Sequence, residues 1–326
     1  MYMVDMMMNS SNSLEEFLNE TFKDIEKKIN EIISDENILT ILEGGKRLRP
    51  LLGSIAFKVC TGGNETKDKY QRFLEGCVGV ELAHGASLVH DDIIDGDINR
   101  RGEPAFYIKS GIDNAILIGH KMLTIGFDIA IAHGEKFARL YVDSWRGTLN
   151  GQLREINFNA KDLNDAKISA DSKFFQIYSR IIDLKTATLF SSSCKAAAFW
   201  ADASEDLSNS LANYGREVGF AYQLADDLVD LEKGEMIDSV VLPLLSRLEK
   251  KSIKTGLSQA KVIKKQIEKN SPEIKKLYLS EIKKHVTNAE RLSTEGIIPT
   301  NHYKMFLQAM PTYITNKMLK EIKITL

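Results

Sequence analysis

No proline lies between Pro104 and Pro243, and the whole chain has only six. A proline inside a helix removes a hydrogen bond and clashes with the preceding turn. So long a stretch without one, rich in Ala, Leu, Ile and Lys, predicts long helices rather than a sandwich or a barrel. The apolar spacing agrees. From Ser13 onward, Leu14, Phe17, Leu18, Phe22, Ile25, Ile29 and Ile32 fall on one helical face, and Ser13 with Glu16 has the pattern of a capping box. The same periodicity predicts helices over about 70–94, 112–132, 138–158, 172–200 and 205–232. Strand-like alternation and βαβ units are nearly absent, and no fixed-period repeat or glycine-rich linker stands out. The expectation is an all-α chain with a frayed N-terminus at 1–12 and one large helical domain over 13–326. Residues 1–12 lack the basic start and apolar core of a signal peptide.

Charge narrows the possible functions. In 326 residues, 43 basic and 45 acidic side chains leave a formal net charge of −2. No global basic field exists to hold nucleic acid, so anions must be bound by local clusters. At 43% hydrophobic residues the chain can bury a sizeable core. No apolar run is read as long enough to cross a bilayer, which predicts a protein not integral to a membrane. Cys60, Cys77 and Cys194 fit neither a disulfide framework nor a zinc site, which points to a reducing cytoplasm. Lysine pairs at 250–251, 264–265, 275–276 and 283–284 read as solvated helix faces. A last helix, from about Pro311 to Leu326, adds Lys317, Lys320 and Lys323, cations able to close over an anionic ligand.

The densest chemical signal is Ser87-Leu-Val-His-Asp-Asp-Ile-Ile-Asp-Gly-Asp-Ile-Asn-Arg-Arg-Gly-Glu-Pro104. Asp91 and Asp95 lie four apart at the end of an apolar helix, so their carboxylates share a face, while Asp92 points elsewhere. Hard oxygen ligands select Mg²⁺ or Mn²⁺ rather than zinc, and Mg²⁺ typically takes one or two carboxylates and completes its shell with substrate phosphate. Arg100 and Arg101 follow, with Gly102 and Pro104 expected to end the helix; guanidinium beside a metal–carboxylate cluster suits a di- or triphosphate. An EF-hand is excluded, because counting from Asp91 its third position is Ile93 and its twelfth is Gly102. The spacing recurs as Asp226, Asp227 and Asp230 after Gln223, again at a helix end. Facing one another, the two ends would line a site with six aspartates. A third cluster, Glu43-Gly-Gly-Lys-Arg-Leu-Arg-Pro50, sets two glycines beside Lys46, Arg47 and Arg49, a backbone able to approach an anion closely. It is not a Walker loop.

Together these motifs resemble the trans-isoprenyl diphosphate synthase (polyprenyl synthetase) family. The order Gly-Gly-Lys-Arg-x-Arg-Pro, His84, Asp-Asp-x-x-Asp, Arg-Arg-Gly, Lys185-Thr186 and Gln-x-x-Asp-Asp-x-x-Asp matches from about residue 40 to 235, and Gly151-Gln152-Leu-Arg-Glu155 is similar to a further family element, Gly-Gln-x-x-Asp. The resemblance implies a helical bundle around a central cavity, commonly a homodimer. It implies that Asp91 and Asp95 hold two Mg²⁺ ions and Asp226 a third, against an allylic diphosphate also contacted by Arg100 and Lys185. Lys46, Arg49, His84 and Arg101 would hold the diphosphate of isopentenyl diphosphate. Lys185, Thr186 and Gln223 would present side-chain and carbonyl dipoles to the allylic carbocation. The reaction implied is head-to-tail condensation to a longer all-trans polyprenyl diphosphate.

The pattern departs after Asp230. The family usually has Gly-Lys-x-x-Gly-x-Asp and another Gly-Lys there, whereas this chain runs Leu231-Glu-Lys-Gly-Glu-Met-Ile-Asp238 and then directly to Pro243. Lys233 would take part of that clamping role. The shortened loop is similar to an archaeal branch of geranylgeranyl and long-chain synthases. Chain length is expected to be set where the family's growing product passes the first aspartate helix. There Ala86, Ser87 and, one turn further, Ala83 are all small, which implies a product of twenty carbons or more. A class I terpene cyclase, or a non-catalytic subunit of a heteromeric prenyl synthase, is the alternative. The first should lack the Lys46, Arg49 and His84 constellation, and the second typically loses one aspartate motif.

Overall fold

The computed structural model describes residues 2–157, 173–233 and 258–326, and these are overwhelmingly helical. Helices α1 (Tyr2–Ile32), α2 (Glu36–Leu42), α3 (Leu48–Thr61) and α4 (Lys67–Asp95) precede a hairpin of β1 (Asn99–Arg100) and β2 (Glu103–Pro104). After it come α5 (Phe106–Ser110), α6 (Ile112–Ala132), α7 (Glu135–Ile156), α8 (Lys173–Ile182), α9 (Thr188–Trp200), α10 (Glu205–Lys233), α11 (Ser258–Thr294) and α12 (Tyr303–Leu319). A π-helical turn, Asp183–Ala187, joins α8 to α9. The all-α expectation holds, and the expected helices over 70–94, 112–132 and 205–232 coincide closely with α4, α6 and α10. The segment from residue 234 to Pro243, with the shortened loop, and the Lys250–Lys251 pair lie outside the described residues.

Several local expectations change. Ser13 sits inside α1, so its capping-box pattern does not open a helix. The last helix begins at Tyr303 and carries Pro311 within it. Helix α6 is long and apolar enough to cross a bilayer by length and composition, contrary to the expectation that no such run exists. One of its faces is nevertheless buried, through Ala115, Gly119, Met122, Gly126 and Ala130, and its Lys121 donates to Asp35 at 2.6 Å. Gly79 of α4 comes so close to α6 that an added methyl would sit 3.6 Å from the Gly126 carbonyl oxygen.

The chain forms two compact units. The first comprises Met1–Trp145, Leu189–Gly215 and Leu292–Ala309; the second comprises Arg146–Thr188, Arg216–Arg291 and Met310–Leu326. In the first, Ile25, Ile55, Phe57, Phe73, Leu82 and Phe190 are buried, with Phe57 and Phe73 stacked at 4.5 Å. In the second, Ala221, Leu224, Ala225 and Leu228 form a helical stripe on α10 that packs with Tyr178, Ile274, Tyr278, Ile282 and Leu319.

Candidate active site

In the first unit, α4 is a continuous helix up to Asp95 because Gly96 then adopts a left-handed conformation (φ 74°) and returns its N–H to the Asp92 carbonyl. Gly96, rather than Gly102 and Pro104, ends this helix. Asp91 is half-buried and Asp95 exposed, while Asp92 is only 3% exposed. Asp92 accepts from Arg100 Nε at 2.8 Å and from its Nη2 as well. Burial raises the Asp92 carboxyl above its usual range, and Arg100 partly offsets the effect. The hairpin makes this pairing possible. Its register pairs Arg100 with Glu103 across the two residues Arg101 and Gly102, both at positive φ (55° and 81°), as in a type I′ turn. Arg100 folds back onto α4, and Arg101 donates to the carbonyl oxygens of Glu43 and Ile41.

The Gly-Gly-Lys-Arg segment is organised around Arg47, which is 3% exposed. Its Nε donates to Glu26 at 2.7 Å, Nη1 to Glu81 at 2.8 Å and Nη2 to the Leu42 carbonyl at 2.7 Å. Burial opposes its charge, but Glu81 and Glu26 more than offset this and keep it ionised. Gly44 supplies a positive φ (69°), and a side chain on Gly45 would collide with the Arg47 guanidinium. Gly45 therefore makes room for Arg47, whose guanidinium is turned into the fold. Lys46 is exposed on one side of Arg47. On the other, Arg49 is nearly buried with its guanidinium carbon 4.9 Å from the Phe190 ring centroid. His84 lies one turn beyond Glu81 on α4. Burial, then the charges of Arg49, Arg101, Arg100 and Arg47, hold its imidazole well below the usual range, in the neutral form. Among the described residues nothing hydrogen-bonds its buried Nδ1.

The second unit repeats the division of labour. Asp226 and Asp230 are half-buried, and Asp227 is 8% exposed. Asp227 accepts from Gln223 Nε2 at 3.0 Å and from the Tyr178 hydroxyl, which in turn accepts from Tyr278 at 3.1 Å. Burial pushes Asp227 up to about 7; the Tyr178 bond opposes this and the Asp226 charge adds to it. Thr186 donates to Gln223 Oε1 at 2.8 Å, so the Gln223 amide is fixed at both ends. Thr186 and Lys185 stand on the π-turn, a helix irregularity often found at functional sites. Gly151 lets α7 pack directly against that turn, since an added methyl would lie 2.7 Å from Lys185 Cγ. One turn on, Glu155 accepts from Lys185 Nζ. Lys233 is paired with Glu321 at 2.6 Å.

The middle aspartate of each motif is thus turned into its own unit, leaving the outer pair less buried. Asp91 and Asp95 present only oxygen donors, which fits a hard divalent cation.

The sequence profile described as Polyprenyl synthetase matches residues 30–238, more than half of the chain. The chain belongs to the polyprenyl synthetase family, a family of prenyltransferases. It is 28% identical over 219 residues to the geranylfarnesyl diphosphate synthase of Methanosarcina mazei, an alignment spanning 65% of this chain and 69% of that protein. It is 28% identical over 301 residues to the geranylgeranyl diphosphate synthase of Saccharolobus solfataricus, spanning 82% of this chain and 86% of the relative. Its fold is that of the polyprenyl synthase of Caulobacter crescentus, crystallised with calcium and isoprenyl diphosphate: TM-score 0.73, 22% identity, 93% of this chain and 97% of that one covered.

Within this polyprenyl synthetase, the first unit holds Lys46, Arg49, His84, Asp91, Asp95, Arg100 and Arg101, and the second holds Lys185, Thr186, Gln223, Asp226 and Lys233. Sequence reasoning missed the residues that position them: Glu26, Glu81, Tyr178 and Tyr278. The available signal was Glu81, a carboxylate in the middle of the apolar helix face Cys77, Val78, Leu82. Of the three small residues expected beside a growing chain, Ala83 lines an apolar cavity, whereas Ala86 and Ser87 are buried outside its lining.

Proposed function

We propose that this polyprenyl synthetase is a Mg²⁺-dependent head-to-tail prenyltransferase. It joins isopentenyl diphosphate to an allylic diphosphate and yields an all-trans polyprenyl diphosphate of twenty carbons or more. The observation carrying this reading is that, in one unit, Asp91 acts electrostatically on Arg100, whose charge, with those of Arg49 and Arg101, bears in turn on a neutral His84. That grouping suits a diphosphate approached from two sides by opposite means: metal through Asp91 and Asp95, and direct cationic and N–H contacts elsewhere.

In this reading Asp91, Asp95 and Asp226 hold three Mg²⁺ ions, which neutralise charge on the departing diphosphate. Arg100, Lys185 and Lys233 contact the allylic diphosphate; Lys46, Arg49, His84 and Arg101 hold that of isopentenyl diphosphate. The pairs Arg100–Asp92 and Lys185–Glu155 orient their cations before substrate arrives, so little reorganisation accompanies ionisation. Thr186 and Gln223 direct oxygen dipoles at the carbocation that remains. The isopentenyl double bond attacks it, and the proton then lost goes to the diphosphate, so no side chain acts as the base. The calcium and isoprenyl diphosphate bound by the Caulobacter protein support a divalent cation and this substrate class. A cyclase would not require the Lys46, Arg49 and His84 cluster, and the presence of both aspartate motifs disfavours a non-catalytic subunit. Residues 13–326 act as one isoprenoid synthase domain. The unbridged Cys60, Cys77 and Cys194 accord with a cytoplasmic setting.

Product analysis tests the chain-length part. Ala83 lines the cavity next to α6, so Ala83→Phe is expected to shorten the longest product by at least one five-carbon unit. An unchanged distribution would place the growing chain elsewhere.

The same reading makes the protein a homodimer, supported by an exposed apolar stripe on α6 formed by Ile112, Ile116, Leu117 and Ile131, with Leu117 65% exposed. In sedimentation velocity the wild-type chain should run as a dimer and the Leu117→Glu/Ile131→Glu double variant as a monomer. A dimer insensitive to both substitutions would rule out α6 as the interface.

A further inference from the structure

The apolar cavity of the first unit is lined on α4 by Gly76, Gly79, Val80 and Ala83. These positions fall on one helical face, with Ala83 the nearest of them along α4 to Asp91. At the Gly76 end the cavity meets the indole of Trp200. The ring lies so close that a side chain on Gly76 would collide with it. Phe137 stacks on the indole at 4.7 Å and 28°, and Phe73 meets it edge-on at 5.9 Å. A polar relay holds the ring in place: Trp200 Nε1 donates to His133 Nδ1 at 3.3 Å, and His133 Nε2 lies 3.4 Å from Glu75 Oε2. His133 is therefore the Nε2–H tautomer, with one nitrogen accepting and the other facing the carboxylate.

We infer that Trp200, latched by His133 and Glu75 against Gly76, is the floor of the cavity that receives the prenyl tail and sets the longest product. The inference rests on the prenyl-transfer reading and adds to it the residue at which growth stops. Ala83 and Gly76, both in the lining, are seven positions apart on α4, seven rises of about 1.5 Å, or roughly 10 Å. A five-carbon isoprene unit adds four chain bonds of about 1.25 Å projected length, roughly 5 Å in all. The Trp200 floor therefore admits about two more units than a side chain blocking at Ala83. His133 is a positioning residue that holds the floor ring, and it also lines the cavity beside that ring.

Trp200→Leu opens the floor while keeping it apolar. Incubated with isopentenyl diphosphate, farnesyl diphosphate and Mg²⁺, this variant is expected to extend the longest product by at least one unit. His133→Leu, which unlatches the ring, should raise the share of over-length product several-fold. An active Trp200→Leu variant with the wild-type distribution would overturn the floor and leave the transfer reading intact. A measurement that needs neither turnover nor a change at Trp200 stands beside it. The chain has two tryptophans, Trp145 and Trp200, so Trp145→Phe makes Trp200 the sole reporter. Its emission should stay constant through the shorter all-trans prenyl diphosphates and change once the tail reaches the floor. Equal changes for every length, or none for any, would contradict the assignment. Should wild type transfer no prenyl group while the length-dependent signal persists, the transfer reading fails and the tail-binding floor survives.

Discussion

Replacing Asp91 by Asn is expected to lower prenyl transfer by roughly 10²–10³-fold, the scale seen when one electrostatic contact to a developing charge is removed. The fold should be unaffected. Asp91 is half-buried at the end of α4, and the hydrogen bonds of Arg100 go to Asp92 and Asp97. Losing Asp91 removes one carboxylate charge and keeps the hydrogen bonds from Arg100 to Asp92. The measurement is initial rate against Mg²⁺ concentration with both substrates saturating. The variant should need more Mg²⁺ and still not reach the wild-type plateau. A variant with the wild-type rate at millimolar Mg²⁺ would remove Asp91 from the metal-binding role.

Arg47→Met is expected to destabilise the protein by roughly 3–5 kcal/mol, because breaking one side of a buried pair leaves the other charge without compensation. The side chains of Arg47 and Glu81 are 2% and 4% exposed. The Leu42 carbonyl and Glu26 lose the same partner. Equilibrium denaturation measures the loss. The double variant Arg47→Met/Glu81→Met should recover most of it, since a buried pair replaced by well-packed apolar residues is often neutral. A single variant within about 1 kcal/mol of wild type would mean the pair anchors nothing, because that is the range of an exposed ion pair. In the rescued double variant the Lys46 and Arg49 segment would still lack its tie to α4, so a raised KM for isopentenyl diphosphate should persist.

Much of this was legible in the sequence because it is local. Helix periodicity depends on residues three and four apart, so the absence of proline and the apolar spacing fixed α4, α6 and α10 closely. The same geometry separated Asp91 and Asp95 from Asp92. It applies unchanged to Asp226, Asp230 and Asp227, where the buried middle residue holds Gln223 and Tyr178. What the sequence did not reveal depends on partners distant along the chain. Arg47 reads as one more cation beside two glycines until Glu26 and Glu81 arrive from α1 and α4. The π-turn under Lys185 depends on Gly151 letting α7 pack against it. Trp200 carries no motif at all; only the approach of Gly76, His133 and Phe137 makes it a floor. The Arg101–Gly102 hairpin was locally encoded but read as a helix stop, because a glycine before Glu-Pro suits either.

The central claim is transfer between two diphosphates, and diphosphate release tests it most directly. The 326-residue chain with Mg²⁺ would be given isopentenyl diphosphate alone, each allylic diphosphate from dimethylallyl to geranylgeranyl alone, and each pair together. Rapid release is predicted only when both substrates are present, with one isopentenyl unit incorporated per diphosphate released. Equally fast release from an allylic diphosphate alone, or no release from any pair, would contradict it.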